Sequence, residues 1–269
     1  MKPILKWVGG KTRLLPEIEK RIPEFQHYYE PFVGGAALLL HLQPKNATAA
    51  DANEELINLY NVVKTAPEEL IKDLGKHKNE KEYFYQIRKL DRLESYKDLS
   101  PIEKASRILY INKTCYNGLF RVNSRGELNT PFGNYKNPLI CDENNIRELS
   151  DYFNRANIQF IHQDFEQTLL EAKKGDFVYL DPPYDPISAT ASFTAYAKNG
   201  FSKEEQIRLK QCCDKLDEKD VHFLLSNSAT EFICELYEEY SVEIIDAPRS
   251  ISCNGTNRNS VNEVLISNY

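Results

Sequence analysis

Short apolar runs alternate with amphipathic stretches at both ends of the chain, and the middle breaks that rhythm. Residues 27–32 (HYYEPF) predict a short strand ending in the turn Val33-Gly34-Gly35, with a helix from Ala36 to Leu42. Residues 47–50 (ATAA) predict a buried strand that ends at Asp51. Leu56, Leu59, Tyr60 and Val63 recur at helical spacing, so a helix is expected from about Asn53. From about residue 66 to 112 the pattern stays helical and charged, with no strand candidate. Beyond residue 150 the alternation returns. Strands are expected at 158–161, 177–180, 221–225, 242–245 and 262–267, and helices at 143–155, 165–173, 203–217 and 229–239. This order predicts an α/β fold with a mostly parallel, doubly wound sheet. A helical insertion at 54–149 is expected to interrupt a sheet domain made of 1–53 and 150–269.

Residues 113–138 (KTCYNGLFRVNSRGELNTPFGNYKNP) follow neither period. Asn, Gly and Pro predict a long loop, with a small hairpin around Ser124-Arg125-Gly126. Tyr116, Phe120, Arg121, Arg125, Phe132, Tyr135 and Lys136 argue for a functional loop over a disordered one.

Composition narrows the class. A chain of 269 residues suits one large domain or one domain with an insertion. The 41% hydrophobic and 28% charged fractions are those of an ordinary globular protein. No run approaches the roughly 18 apolar residues of a membrane span. Met1 to Trp7 lacks the apolar region of a signal peptide, so a cytoplasmic location is the expectation; a monomer in solution is expected as well. Cys115, Cys141, Cys212, Cys213, Cys234 and Cys253 form no C-x-x-C pair; free thiols and no metal site are expected. The net charge of -6 argues weakly against a nucleic-acid partner, but local balance matters more. Between residues 104 and 138, Lys104, Arg107, Lys113, Arg121, Arg125 and Lys136 face Glu127 alone, a balance of +5. Residues 1–21 carry +4. Two basic segments on an acidic body could form one DNA-facing surface, or be scattered solvated charge.

Three short segments carry candidate chemistry. Asp181-Pro182-Pro183-Tyr184 follows an apolar strand, at the end where open α/β sheets bind ligands. The prolines fix the backbone and leave their carbonyls as free acceptors. Asp181 and the Pro182 carbonyl could accept the two N–H bonds of a planar amine while Tyr184 stacks on its ring; a rigid turn beside a core tyrosine is the plainer alternative. In Glu30-Pro31-Phe32-Val33-Gly34-Gly35, glycines after the first strand let a cofactor approach the backbone. Asp51, about 17 residues on, could bond ribose hydroxyls; equally, Asp51 or Asn53 could cap the next helix. In Lys6-Trp7-Val8-Gly9-Gly10-Lys11, Trp7 offers an aromatic wall and Lys11 a charge for an α-carboxylate; the phosphate-loop pattern is not met.

In order, KWVGGK, EPFVGGA, Asp51, YNGLFRVNSRGELNTPFGNYK and LDPPY resemble the Dam-type DNA adenine-N6 methyltransferases over nearly the entire chain. The resemblance implies a Rossmann-like catalytic domain at 1–53 plus 150–269 and a target-recognition insertion at 54–149. It implies S-adenosyl-L-methionine as cofactor and double-stranded DNA as partner, with adenine methylated at N6, typically in GATC. By that resemblance Asp181, Pro182 and Tyr184 are the catalytic set. Trp7, Lys11, Phe32, Gly34, Asp51 and Asp181 hold the cofactor, with Asp164 and Phe165 near its adenine. Lys6, Tyr116, Asn117, Leu119, Arg121, Asn123, Pro131 and Tyr135 fall on DNA-contacting positions, and a late loop from Arg249 to Arg258 lies beside the DNA. Asn134 and Lys113 depart from the pattern, standing where relatives often carry arginine. An adenine N6 inside a duplex cannot reach a buried cofactor, so the base must be flipped out. Tyr116 could wedge into the gap and Arg121 read a guanine, while Lys113, Arg125 and Lys136 serve phosphates. Rival readings are a cytosine-N4 enzyme, an RNA-directed enzyme, a GATATC-like site and a silent binding protein.

Overall fold

A computed structural model describes residues 1–7, 9–118, 120–123, 125–187, 201–247 and 261–269. The strands are β1 (Tyr28–Glu30), β2 (Ala47–Asp51), β3 (Ile158–His162), β4 (Phe177–Leu180), β5 (His222–Ser228), β6 (Ser241–Ala247) and β7 (Val261–Ser267). They form one sheet in the order β3-β2-β1-β4-β5-β7-β6. The first five run parallel. β7 is antiparallel to both β5 and β6. The expected α/β fold with a mostly parallel sheet is what forms. β6 is longer than the expected 242–245, because it pairs with β7 from Ser241 to Ala247.

The described helices are α1 (Leu15–Glu19), α2 (Ala37–Leu42), α3 (Glu54–Thr65), α4 (Pro67–Leu74), α5 (Lys81–Arg88), α6 (Pro101–Thr114), α7 (Glu143–Arg155), α8 (Phe165–Leu170), α9 (Lys203–Glu218) and α10 (Glu231–Leu236). Their starts have local causes. Asn53, not Asp51, caps α3 by accepting from the Leu56 amide. Ser100 and Glu103 form a capping box on α6, with Pro101 in the first turn. Asp142, Asp164, Ser202 and Thr230 cap α7, α8, α9 and α10. The cap at Thr230 starts α10 two residues later than the pattern suggests.

Strand alternation divides the core between the two sheet faces. Tyr28, Phe177, Tyr179, Leu224 and Leu265 join the cluster that includes residues of α3, α6 and α7. Tyr29, Val178, Leu180, Phe223, Leu225 and Ile266 join the one with residues of α8, α9 and α10. The stretch 54–149 begins and ends in helices seated on the sheet. Tyr60 of α3 stacks on Phe160 of β3 at 4.8 Å, and Lys64 donates to the Ile158 carbonyl. Phe153 of α7 meets Tyr60 edge-on. Among the described residues no helix is long and apolar enough to cross a membrane.

Candidate active site

Strand order sets the site. It reverses between β1 and β4, and the loops leaving β3, β2, β1 and β4 stand side by side at the carboxyl edge. Asp51 ends β2, and Asp164, Phe32-Val33-Gly34 and Asp181 follow β3, β1 and β4.

β4 is buried along its length and delivers Asp181 at its end. Lys11 Nζ lies 2.7 Å from Asp181 Oδ1, donates to the Gly9 carbonyl at 2.8 Å and sits 4.6 Å from the centroid of the Tyr184 ring. Lys11 is almost fully buried, so this contact is poorly screened. Burial pushes the Asp181 carboxyl above its ordinary range and Lys11 pulls the other way. The Tyr184 hydroxyl donates to Glu263 Oε2 at 2.7 Å. Glu30 ends β1, next to β4. Its carboxyl accepts from the Tyr28 hydroxyl at 2.9 Å, and burial raises it to about 8, with Asp181 adding.

The loop backbone is fixed from behind. Gln206 Nε2 donates to the Pro183 carbonyl at 3.0 Å. Asn227 Nδ2 donates to Gln206 Oε1 at 3.1 Å, and Asn227 Oδ1 accepts from the Asp185 amide at 3.0 Å. Thr230 Oγ1 donates to Asp185 Oδ2 at 2.8 Å. The expectation that both proline carbonyls stay free is thus corrected: a buried glutamine occupies that of Pro183. Gln206, Asn227 and Glu263 were not singled out from the sequence. The one available signal is Ser226-Asn227-Ser228, a polar triplet closing an otherwise apolar strand.

The glycine turn is shaped by the tryptophan. A β-carbon at Gly34 would lie 2.8 Å from Trp7 Cδ1, and Gly34 has φ of 44°. The Gly34 amide donates to Asp51 Oδ2 at 3.1 Å, and Asp51 Oδ1 accepts from the Asn53 amide. The other side of the wall is Phe120 of the long loop, stacked on Trp7 at 5.1 Å. Phe32 packs on Phe165 at 5.3 Å. Asp164 is already paired with Arg208 at 2.7 and 2.8 Å, which holds its carboxyl below the ordinary range. The Arg208 guanidinium also lies 4.0 Å from the Phe165 ring centroid. Trp7, Gly34 and Asp51 therefore meet, as do Phe32, Asp164 and Phe165, and Lys11, Asp181 and Tyr184. Aromatic walls, an exposed-backbone turn and carboxylates in this order fit a nucleoside carrying an amino acid, as S-adenosylmethionine does.

The predicted DNA-facing residues cluster around the end of α6. Tyr116 is 54% exposed, on a single turn from Tyr116 to Gly118. Its amide donates to the Pro131 carbonyl, and the Asn117 amide donates to the Tyr135 hydroxyl. Buried Asn112 exchanges hydrogen bonds with the Lys6 backbone and donates to the Gly118 carbonyl, joining two segments far apart in sequence. Lys113 is half-buried; burial and then Lys6 lower it. Arg121 is exposed and donates to Asn129. Lys136 is exposed. Asn123 is turned inward, bonding Glu127 and the amides of Arg125 and Glu127, so its side chain builds the hairpin. Arg125 pairs with Glu127. Arg107 is the correction to the basic count: it is fully buried, paired with Asp91 and Glu55. Leu119, Ser124 and the Arg249–Arg258 loop lie outside the described residues. Among those described, no group of three His, Cys, Asp or Glu is placed to hold a metal, and Cys115, Cys141, Cys212, Cys213 and Cys234 form no disulfide with one another.

Comparison with known proteins bears on what this site does. The chain is 43% identical to the Type II methyltransferase M1.LlaDCHI of Lactococcus lactis subsp. cremoris, covering 100% of this chain and 96% of the relative. It is 39% identical to the Type II methyltransferase M.MjaIII of Methanocaldococcus jannaschii, over 100% and 99%. It is 36% identical to the DNA adenine methylase of Escherichia coli strain K12, over 98% and 94%. A profile described as "D12 class N6 adenine-specific DNA methyltransferase" matches residues 7–251, a span running from the Trp7 wall past the Asp181 loop. With both ends of the site inside that match, the chain belongs to the D12 class of N6 adenine-specific DNA methyltransferases.

Proposed function

We propose that the protein methylates adenine N6 within GATC in duplex DNA, on a base turned out of the helix. The observation that carries this reading is a nitrogen cation, Lys11 Nζ, held between the Asp181 carboxylate and the Tyr184 ring face. An exocyclic amine on a flat ring offers matching features: N–H donors for the carboxylate and a face for the tyrosine. Asp181 accepts one N–H and the Pro182 carbonyl the other, since Gln206 occupies the Pro183 carbonyl. Two such bonds favour a pyramidal nitrogen with a localised lone pair. When bound, S-adenosylmethionine supplies an electrophilic methyl carbon on its sulfonium. Trp7, Phe32, Gly34, Asp51, Asp164 and Phe165 would hold and orient it, and Lys11, once the adenine amine takes its place between Asp181 and Tyr184, would turn to its carboxylate. Rate then comes chiefly from proximity and in-line orientation.

The insertion at 54–149 is the target-recognition unit on a catalytic domain formed by 1–53 and 150–269. Tyr116 fills the gap left by the flipped base. Arg121 reads a guanine, Lys6, Asn117 and Tyr135 line the same face, and Lys113, Arg125 and Lys136 meet phosphates. GATC rests on the Dam-type resemblance of residues 116–136. The names of two relatives support a modification role of the Type II kind.

Asp181→Ala is expected to cut single-turnover transfer by about 10²–10³-fold while leaving duplex binding largely intact. Wild-type rates in that variant would remove Asp181 from the chemistry. Plasmid DNA from cells expressing the protein, in a host lacking adenine methylation, is expected to resist an endonuclease blocked by N6-methylated GATC. Complete cleavage would overturn the site assignment.

A further inference from the structure

Tyr184 is held from two directions. The Lys11 ammonium lies over its ring. Its hydroxyl donates to Glu263 Oε2 at 2.7 Å, a partner remote in sequence. Glu263 is half-buried on β7, opposite Ser228 of β5 and Ile245 of β6, so ladders on both sides fix its backbone. Burial, Asp181 and Glu263 together hold the Tyr184 hydroxyl well above the ordinary phenol range, so it remains a donor. A phenol donating to a carboxylate makes a charge-assisted bond, roughly twice as strong as a neutral one. A tyrosine tethered only at its own backbone can swing about two side-chain torsions; a bond from its far end to a rigid strand removes that freedom.

We propose that Glu263 is a positioning residue for methyl transfer, setting the plane of Tyr184 against which the target adenine stacks. This inference rests on the proposed stacking role of Tyr184. Glu263 acts through the tyrosine hydroxyl and not on the base. Displacing a reacting group by about 1 Å can cost on the order of 10²-fold in rate, so partial loosening of a ring is expected to show in the chemical step.

The test is a double-mutant cycle read by single-turnover transfer from S-adenosylmethionine to a GATC duplex. E263A is expected to slow transfer about tenfold, with Kd for cofactor and duplex within about twofold. In a Y184F background, which keeps the ring and lacks the hydroxyl, the same change is expected to cost less than about twofold. E263Q, which keeps a carbonyl acceptor, is expected to recover part of the rate, leaving about a threefold loss. Equal losses in both backgrounds, or no loss from E263A alone, overturn the proposal. Should E263A fail to fold by circular dichroism, E263Q and Y184F/E263Q run the same cycle with about a threefold loss expected, judged by the same rule. Y184A reports separately on the underlying reading. Full activity there refutes the stacking role itself; a slow Y184A with an unaffected E263A refutes only the part given to Glu263.

Discussion

Glu30 and Asp181 close neighbouring strands, yet their surroundings treat them differently. Asp181 has Lys11 at 2.7 Å to favour its charge. Glu30 is sealed in, and burial lifts it to about 8, so it is held neutral at pH 7. A protonated Glu30 spares Asp181 a second negative charge nearby. The sign for stability follows. An unfolded glutamate ionises near 4.5 while folded Glu30 keeps its proton up to about 8. Folding then binds the extra proton, so this group's contribution is intact below pH 4.5 and is lost as pH rises toward 8. Glu30→Gln, neutral throughout, is expected to match wild type at about pH 4 and to gain in relative Tm as pH approaches 8. Parallel Tm profiles would sink the assignment. At this scale, that Asp181 and Tyr184 lie together was legible because they share a contiguous four-residue motif. Glu263, Gln206 and Asn227 were not, because a single polar residue in a strand or helix carries no local signal of its partner.

At the scale of elements, α6 anchors the segment from Tyr116 to Lys136 that we propose faces DNA. Its capping box and Pro101 fix where it starts. Its buried Arg107 donates to the Ile87 and Arg88 carbonyls at 3.0 and 2.8 Å and pairs with Asp91 at 3.0 Å. Tyr96 and Glu55 of α3 complete the network. That segment then holds the hairpin: Arg88 donates to the Thr130 carbonyl, Arg92 to the Leu128 carbonyl, and Asp91 accepts from the Leu128 amide. Arg107→Met strands two half-buried carboxylates, at a cost below the roughly 3–5 kcal/mol of breaking a fully buried pair. A fall in Tm is expected together with weaker duplex binding, although Arg107 reaches no DNA. An unchanged Tm would remove Arg107 as the hub. Charge counting placed this residue on the surface because composition cannot register burial. Asn134 has a simpler explanation: its φ of 53° suits asparagine better than most residues.

At the scale of the molecule, Trp7 joins the two regions that the pattern separates. It closes over the Gly34-Gly35 turn and stacks on Phe120 of the long loop at 113–138. It is also the single tryptophan in the chain. Duplex binding is therefore expected to change intrinsic tryptophan emission, and Phe120→Ala to abolish most of that change. The same substitution is expected to weaken S-adenosylmethionine binding by about 0.5–1.5 kcal/mol, the worth of an aromatic pair. Equal emission changes and equal affinities in both proteins would break the link.

The sequence alone determined the alternation of strands and helices and the order of the motifs. Periodicity and contiguous motifs are local signals, readable without partners. Only the tertiary structure decided the strand order, which sets residues 30, 51, 164 and 181 along one carboxyl edge. It likewise decided that Lys11 meets Asp181, that Glu263 meets Tyr184 and that Arg107 is core. These pairings join residues far apart along the chain. They follow from crossover connections and sheet packing, which place side chains together regardless of their local pattern.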